Sequence, residues 1–296
     1  MLKLLDITCR FGDFFLNHIS FEVNQGDYFI LLGESGAGKS LILETIAGLR
    51  IPDSGHLYLD GEEITRKRIQ ERNIGFVFQD YAIFPHMTVY ENLAYPLQNK
   101  HLSRHHKLGV ISEIARKMNL QDLLKRSPVS LSGGELQRLA LGRTLILSPK
   151  ILLLDEPLSS LDKRLRDHIR NLLRTIHREG QTIVHVTHDY EEAISLANQI
   201  AVVNQGQVIQ TGSPEEVFQH PSNEFVANFI GEKNFFPVRC NHFSGNTEAL
   251  INDRITIKLE NKSPAIRGYV LIRHQDVILS TEPLISTARN MFQGIV

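Results

Sequence analysis

The sequence has little cysteine, no excess of charge of either sign and no long apolar run, and each shortage closes off a class of protein. Cys9 and Cys240 are its only cysteines, too few for a disulfide framework or a zinc cluster, so two reduced apolar thiols are expected. Lys and Arg number 32 against 33 Asp and Glu, a net charge of −1. No global field therefore draws the chain to nucleic acid or anionic lipid. No apolar stretch approaches the ~18 residues of a membrane span. The opening Met1-Leu2-Lys3-Leu4-Leu5-Asp6 acquires charge too early for a secretory leader. A cytoplasmic protein is expected, one that meets a membrane only through a partner. Its 296 residues suffice for about two domains.

What is present begins with Gly33-Glu34-Ser35-Gly36-Ala37-Gly38-Lys39-Ser40, which fits G-x-x-x-x-G-K-[ST]. The apolar run Tyr28–Leu32 before it reads as a buried strand, and Leu41, Ile42, Thr45, Ile46 and Leu49 after it recur at helical spacing. Strand, glycine turn and helix bring free backbone N–H groups to an anion at a helix N-terminus. Lys39 would reach the β- and γ-phosphates of a nucleotide, and the Ser40 hydroxyl would ligate Mg²⁺.

Around this motif the chain alternates strands and helices. Residues 2–9 and 14–23 read as strands about a Gly12-Asp13 turn. Further strands are expected at 56–59, 74–78, 151–154 and 182–187, with a hairpin of 200–204 and 207–210. From about 82 to 147 the pattern is helical. Thr88 and Glu91 form a capping box, residues 104–118 an amphipathic helix, and a further helix opens at Ser132. Helices are also expected at 163–178, 190–197, 214–219 and 222–230. His101, His105 and His106 lack a paired ligand set and read as a solvated helix start. The pattern predicts an α/β fold with a doubly wound, mainly parallel sheet. After about Gly231 short strands take over, at 235–240, 248–251, 254–259, 268–273 and 276–280, a small all-β appendage. The expected boundaries are 1–231 and 232–296.

Four polar residues end three apolar strands. Asp155 and Glu156 follow Ile151–Leu154, Gln79 follows Ile74–Phe78, and His188 follows Thr182–Thr187. In a parallel sheet all four project into one crevice beside the P-loop. There Asp155 can hold Mg²⁺ and Glu156 can polarise water, while Gln79 can sense metal or water and His188 can bond the γ-phosphate.

With these residues in place, roughly 1–230 resembles the ATP-binding cassette (ABC) ATPase family. The resemblance is carried by Leu131-Ser132-Gly133-Gly134-Glu135-Leu136-Gln137-Arg138, similar to the signature motif. Ser159-Ser160-Leu161-Asp162 and Thr187-His188-Asp189 are similar to the D-loop and the switch-histidine region. It implies an ATPase that uses ATP and Mg²⁺, with an antiparallel β subdomain and a helical subdomain beside the core sheet. By resemblance Phe11 stacks on adenine, and Gly33, Glu34, Ser35, Gly36, Ala37, Gly38, Lys39, Ser40 and Leu41 cradle the phosphates. Mg²⁺ falls to Ser40, Gln79 and Asp155, and catalysis to Glu156, His188 and Gln79. Ser132, Gly133, Gly134, Glu135 and Asp162 meet the ATP of a second subunit. Two anion sites on one chain suit a head-to-tail C₂ homodimer. Glu34 stands where many relatives have proline and Gly142 where many have alanine, a change that should weaken its helix slightly.

Phe84–Leu93 is similar to the segment of importer ATPases that receives a helix of the permease, which implies a peripheral place on the inner face of the cell membrane. An indirect partner would be a substrate-binding protein. Leu271–Ser280 and Ser286–Val296 are similar to the C-terminal region of molybdate and tungstate importer ATPases, with sulfate and iron(III) as alternative cargoes. A non-transport ABC protein would usually carry two cassettes, a long coiled coil or a basic face. A GTPase would want N-K-x-D. Neither pattern is present. Ser286–Val296 matches only the opening strand of an oxyanion-binding module, and a lone strand cannot close a pocket. The expectation is that calorimetric titration of this polypeptide with molybdate, tungstate or sulfate finds no tight site there. A saturable micromolar site lost on deleting residues 281–296 would overturn it.

Overall fold

The computed structural model describes residues 1–98, 100, 102–159, 161–243, 246–252, 254–259, 266–273, 276–277, 290 and 292. Two compact units divide the chain, Met1–Val217 and Phe218–Val296.

The first unit opens with β1 (Leu2–Phe11), β2 (Phe14–Val23) and β3 (Tyr28–Leu32), followed by α1 (Lys39–Ala47). Next come β4 (Ser54–Leu59), β5 (Glu62–Glu63) and β6 (Ile74–Val77). Helices α2 (Val89–Ala94), α3 (Arg104–Lys117) and α4 (Gly133–Leu145) follow, then β7 (Ile151–Asp155), α5 (Lys163–Arg178), β8 (Thr182–Thr187) and α6 (Tyr190–Leu196). The hairpin of β9 (Gln199–Asn204) and β10 (Gln207–Gly212) leads into α7 (Pro214–Gln219).

The central sheet has the order β10-β9-β3-β8-β7-β6. Every pairing from β9 to β6 is parallel, and β10 alone runs antiparallel. Its strands are apolar runs rather than alternating ones because elements cover both faces; all of β3 and β8 is buried. A second, antiparallel sheet, β2-β1-β4-β5, stands beside it. The two sheets and α1 share one core, in which Phe21 of β2 stacks on Phe29 of β3 at 5.0 Å. The expected mainly parallel sheet is therefore present, and an antiparallel layer accompanies it.

The helical segment packs α2, α3 and α4 around Leu93, Ile114, Ala115 and Met118. The capping box of Thr88 and Glu91 is formed. Gly142 sits at the crossing. A Cβ there would lie 3.0 Å from Met118 and 3.2 Å from Leu93, so its missing methyl makes room for neighbouring helices as well as weakening its own.

In the second unit α8 (Glu224–Phe229) precedes β11 (Phe235–Phe243), β12 (Asn246–Ile251), β13 (Ile255–Leu259) and β14 (Arg267–Leu271). They form an antiparallel sheet of order β13-β12-β11-β14. Alternation gives it one apolar face of Val238, Cys240, Ala249, Ile251 and Ile257. Helix α8, ahead of the composition shift in sequence, contacts β11 of this unit. Cys9 and Cys240 are both free and buried. Of the strand expected at 276–280, residues 278–280 lie outside the described residues, as do most of Ser286–Val296. Within that segment the Asn290 amide pairs with the backbone of Lys258, accepting at 2.8 Å and donating at 3.2 Å.

Arg72, which no motif singles out, is 1% exposed. Its guanidinium donates to the carbonyls of Thr45 and Ile46 at the end of α1, and to those of Thr65 and Lys67, all within 2.8–3.1 Å. A cation at a helix C-terminus also opposes the helix dipole favourably. Gly48, at φ +87°, leaves the space it fills: a Cβ there would lie 2.6 Å from Nε. Arg72→Met should strand several buried acceptors and cost about 3 kcal/mol or more. Urea unfolding measures this, and a loss below ~1 kcal/mol would contradict the account.

Candidate active site

The P-loop joins the buried end of β3 to α1. Its first glycine is dictated by contact: a Cβ on Gly33 would lie 2.2 Å from the Val203 carbonyl oxygen of β9. Gly36 and Gly38 have φ of +83° and +99°, in the region where side chains are strained. Gly38 caps α1 without any side-chain hydrogen bond. The first-turn N–H groups are thus left uncapped, which is what an anion requires. Lys39 is buried, and its ammonium donates to the carbonyls of Gly33 at 2.9 Å and Glu34 at 2.8 Å. Burial pulls its pKa below the usual lysine value, against the opposing charges of Glu156, Asp155 and Glu34.

Four of the expected residues meet in two pairs. The Ser40 hydroxyl donates to Asp155 at 2.9 Å. Burial raises the Asp155 pKa, and that hydrogen bond works against the rise. Hydroxyl and carboxylate oxygens so close form a hard donor set that fits Mg²⁺, which takes one or two protein oxygens and completes its shell with phosphate and water. One residue on, Glu156 has φ +44°, and its N–H donates to Val186 of β8 at 3.0 Å. This left-handed residue ends the extended run of β7 and turns the chain toward β8. Its carboxylate lies 3.2 Å from Nδ1 of His188.

Other expected residues stand apart. Gln79, just beyond β6, is exposed and has no hydrogen bond to Ser40, Asp155 or Glu156. Phe11 ends β1 with the Arg50 guanidinium 4.7 Å from its ring centre. The aromatic that touches the P-loop is Phe14, paired with Phe11 across the turn; a Cβ on Gly38 would lie 2.8 Å from its ring. No sequence signal distinguishes it from other strand aromatics. Glu34, Ser35, Ala37 and Leu41 complete the loop and the start of α1. Glu34, Ser35, Gly36 and Ala37 border an open hollow of about 440 Å³, with Asp13, Phe14 and Gln205.

Ser132 caps α4 through a formed capping box with Glu135. Its hydroxyl donates to the Glu135 carboxylate at 2.9 Å and its N–H at 2.7 Å. These bonds hold the Glu135 pKa below its ordinary value, although the carboxyl is mostly exposed. Gly133 and Gly134 lie over α5: Cβ atoms there would be 3.6 Å from Leu161 and 3.0 Å from Leu165. Asp162 caps α5, accepting from Leu165 N at 2.9 Å; Ser160 lies outside the described residues. No hydrogen bond or ion pair among the described residues joins Ser132–Glu135 to the P-loop.

A family profile described as ABC transporter matches residues 16–159. Over 297 residues the chain is 39% identical to a molybdate/tungstate import ATP-binding protein of Pyrococcus abyssi, covering 100% of this chain and 85% of the relative. It belongs to the ATP-binding proteins of the ABC transporter family. A sulfate/thiosulfate import ATP-binding protein of Thermosynechococcus vestitus is 40% identical over 284 residues, covering 95% and 80%. A solved ATP-binding cassette, a dimer in a post-hydrolysis state bound to ADP and Pi, superposes with a TM-score of 0.64 at 29% identity. It covers 72% of this chain and 99% of that one. The protein is an ABC ATPase, with ATP as substrate and Mg²⁺ as its cation. No helix among the described residues is long and apolar enough to cross a membrane.

Gly38→Ala should weaken ATP binding at least about tenfold, because its methyl meets the Phe14 ring and its φ is strained. Calorimetric titration with ATP reads the change; an unaltered affinity would mean that this turn does not set the approach to the phosphates.

Proposed function

We propose that this ATPase powers an importer for a small oxyanion, molybdate or tungstate, through ATP-driven closure of a homodimer. The catalytic part of this reading is carried by the pairing of Ser40 with Asp155 and of Glu156 with His188 at adjacent strand ends. Backbone N–H groups of Gly36 to Ser40 and the Lys39 ammonium bind the phosphates and spread their charge. Ser40 and Asp155 would hold Mg²⁺, with Gln79 approaching on closure, and the cation would supply positive charge against the phosphates. Glu156 accepts a proton from the attacking water and orients it. His188, beside Glu156, steadies that carboxylate and reaches the γ-phosphate. Phe11 stacks on the base, with Arg50 behind it.

The signature residues of the same chain form a second helix N-terminus that its own P-loop does not use. A partner subunit's ATP fits there, against Ser132, Gly133 and Gly134, with Glu135 and Asp162 alongside. Each nucleotide then needs both chains. We assign the permease dock to the segment Phe84–Leu93; in support, Asn92 there is buried and bonds Phe84 N and the carbonyls of Phe84, Met87 and Thr88. Such a pinned loop can transmit nucleotide-driven movement to a membrane subunit. The ATPase would sit on the inner membrane face through that subunit, with a binding protein delivering cargo. For the cargo, the supporting observation is a match to the Pyrococcus relative that runs the whole chain, second unit included. Sulfate is the second reading, favoured by the comparable identity of the Thermosynechococcus relative.

Glu156→Gln should retain ATP binding, lose hydrolysis by about 10²-fold or more and accumulate an ATP-bound dimer on size exclusion. In cells lacking this chain, uptake of labelled tungstate should vanish, returning with the wild type and not with Glu156→Gln. Wild-type turnover in the variant would refute the base assignment. Loss of sulfate uptake with tungstate uptake intact would replace the first cargo by the second.

A further inference from the structure

Beneath the loop that carries His188 runs a buried polar chain that the hydrolytic groups do not include. Tyr28 opens β3, His185 lies within β8 and Glu192 is on α6, and none is more than 3% exposed. The Tyr28 hydroxyl is 2.9 Å from His185 Nδ1. Nε2 of the same ring is 3.4 Å from the Glu192 carboxylate, a long contact, with no closer hydrogen-bond partner among the described residues. Burial drives the Tyr28 pKa well up, aided by the charge of Glu192, so the phenol stays protonated. Nε2 faces a carboxylate, which can only accept, so it carries the ring N–H and Nδ1 accepts from the Tyr28 hydroxyl. Burial pushes the Glu192 carboxyl up, but the adjacent His185 ring, the Thr187 hydroxyl and the charge of Arg166 outweigh it and hold its pKa below the ordinary value.

Glu192 in turn holds both neighbours of His188. The Thr187 hydroxyl bonds to its carboxylate and accepts the N–H of Asp189 at 3.1 Å. Asp189 caps α6, accepting from Glu191 N at 2.8 Å and Glu192 N at 3.4 Å. Around this knot lie Arg166, 3.9 Å from Asp189, Arg174, donating to the Ser195 carbonyl, and His177, edge-on to Tyr28. A buried carboxylate is costly, and an apolar side chain would fill the same space without that cost. What the carboxylate adds is a directed acceptor for the Thr187 hydroxyl, at the start of the turn at residues 187–189.

We propose that Glu192, braced by His185 and Tyr28, is a positioning residue for ATP hydrolysis that fixes the 187–189 turn and so sets the His188 ring against Glu156. This rests on the roles given above to Glu156 and His188. Tyr28 belongs to the strand that becomes the P-loop at Gly33, and β3 and β8 pair from Tyr28↔Ile183 to Leu32↔Thr187. The brace therefore ties the phosphate-binding strand to the one that presents His188.

The test measures hydrolysis kinetics of the purified full chain with Glu192→Gln, Thr187→Val, His188→Ala and the doubles that include His188→Ala, together with thermal midpoints. Glu192→Gln should lower kcat about tenfold while KM for ATP stays within about twofold. Thr187→Val, near-isosteric and leaving no charge unpaired, should act in the same direction and keeps the test open where Glu192→Gln does not fold. Each double should be no slower than His188→Ala alone, because the brace acts only through that ring. His185→Gln, which keeps an N–H toward Glu192, should retain most activity, whereas His185→Phe should match Glu192→Gln. Costs that multiply in the doubles, or wild-type kcat in Thr187→Val, would overturn the proposal and leave Glu192 a purely structural group. Wild-type kcat in His188→Ala would instead remove the role of His188 itself, and the brace with it.

Discussion

The parallel register of four neighbouring strands is the constraint on which the site depends. Leu32 pairs with Thr187, Asp155 with Val186 and Val77 with Leu154, so β3, β8, β7 and β6 end nearly level. The residues after them, Gly33, His188, Glu156 and Gln79, then fall along one edge of the sheet. A slip of one residue in any pair would send each side chain of that strand to the other face. Full burial of β3 and β8 makes such a slip expensive. Tyr28, Thr182, His185 and Thr187 are the polar side chains of those two strands, and each has a contact that a shifted register would break.

Beyond the strand ends, chemistry depends on how the backbone leaves the sheet. Gly33 passes under a carbonyl that no side chain could clear, and the chain then turns through Gly36 and Gly38 into an uncapped helix. Glu156 adopts a left-handed conformation that costs of order 1 kcal/mol or more for such a residue, yet it leaves the carboxylate beside His188. At the far end of α1, Arg72 gathers carbonyls from the helix and the following loop.

Much of this was legible from residue order. Apolar runs marked β3 and β7 and a mostly apolar one marked β8, and the polar residues at their ends marked Asp155, Glu156 and His188. The capping box of Thr88 and Glu91 placed the start of α2, and the helix expected at 163–178 coincides with α5. Legibility failed where local pattern was weak. The two residues of β5 are both glutamate, and they form a strand because β4 offers an edge, through Tyr58↔Glu63 and Leu59↔Glu62. Strands β1 and β10 run past their expected ends because a neighbouring strand pairs with Arg10 and Phe11 in the one and with Thr211 and Gly212 in the other. Phe14 and Arg72 were invisible as functional neighbours, since each acts on an element remote in sequence.

By itself, then, the sequence determined the P-loop, the polar residues at strand ends and the serine and glycines that open α4, because each is a local pattern of residue types. Tertiary structure alone decided which of them meet. It joined Ser40 to Asp155 across 115 residues of chain and Glu156 to His188, but left Gln79 and Ser132–Glu135 apart from them. It also set Gly142 between three helices and placed Tyr28, His185 and Glu192 in one buried line. Those outcomes come from sheet order and long-range packing, and the spacing of residues along a chain carries no information about which strand will lie beside which.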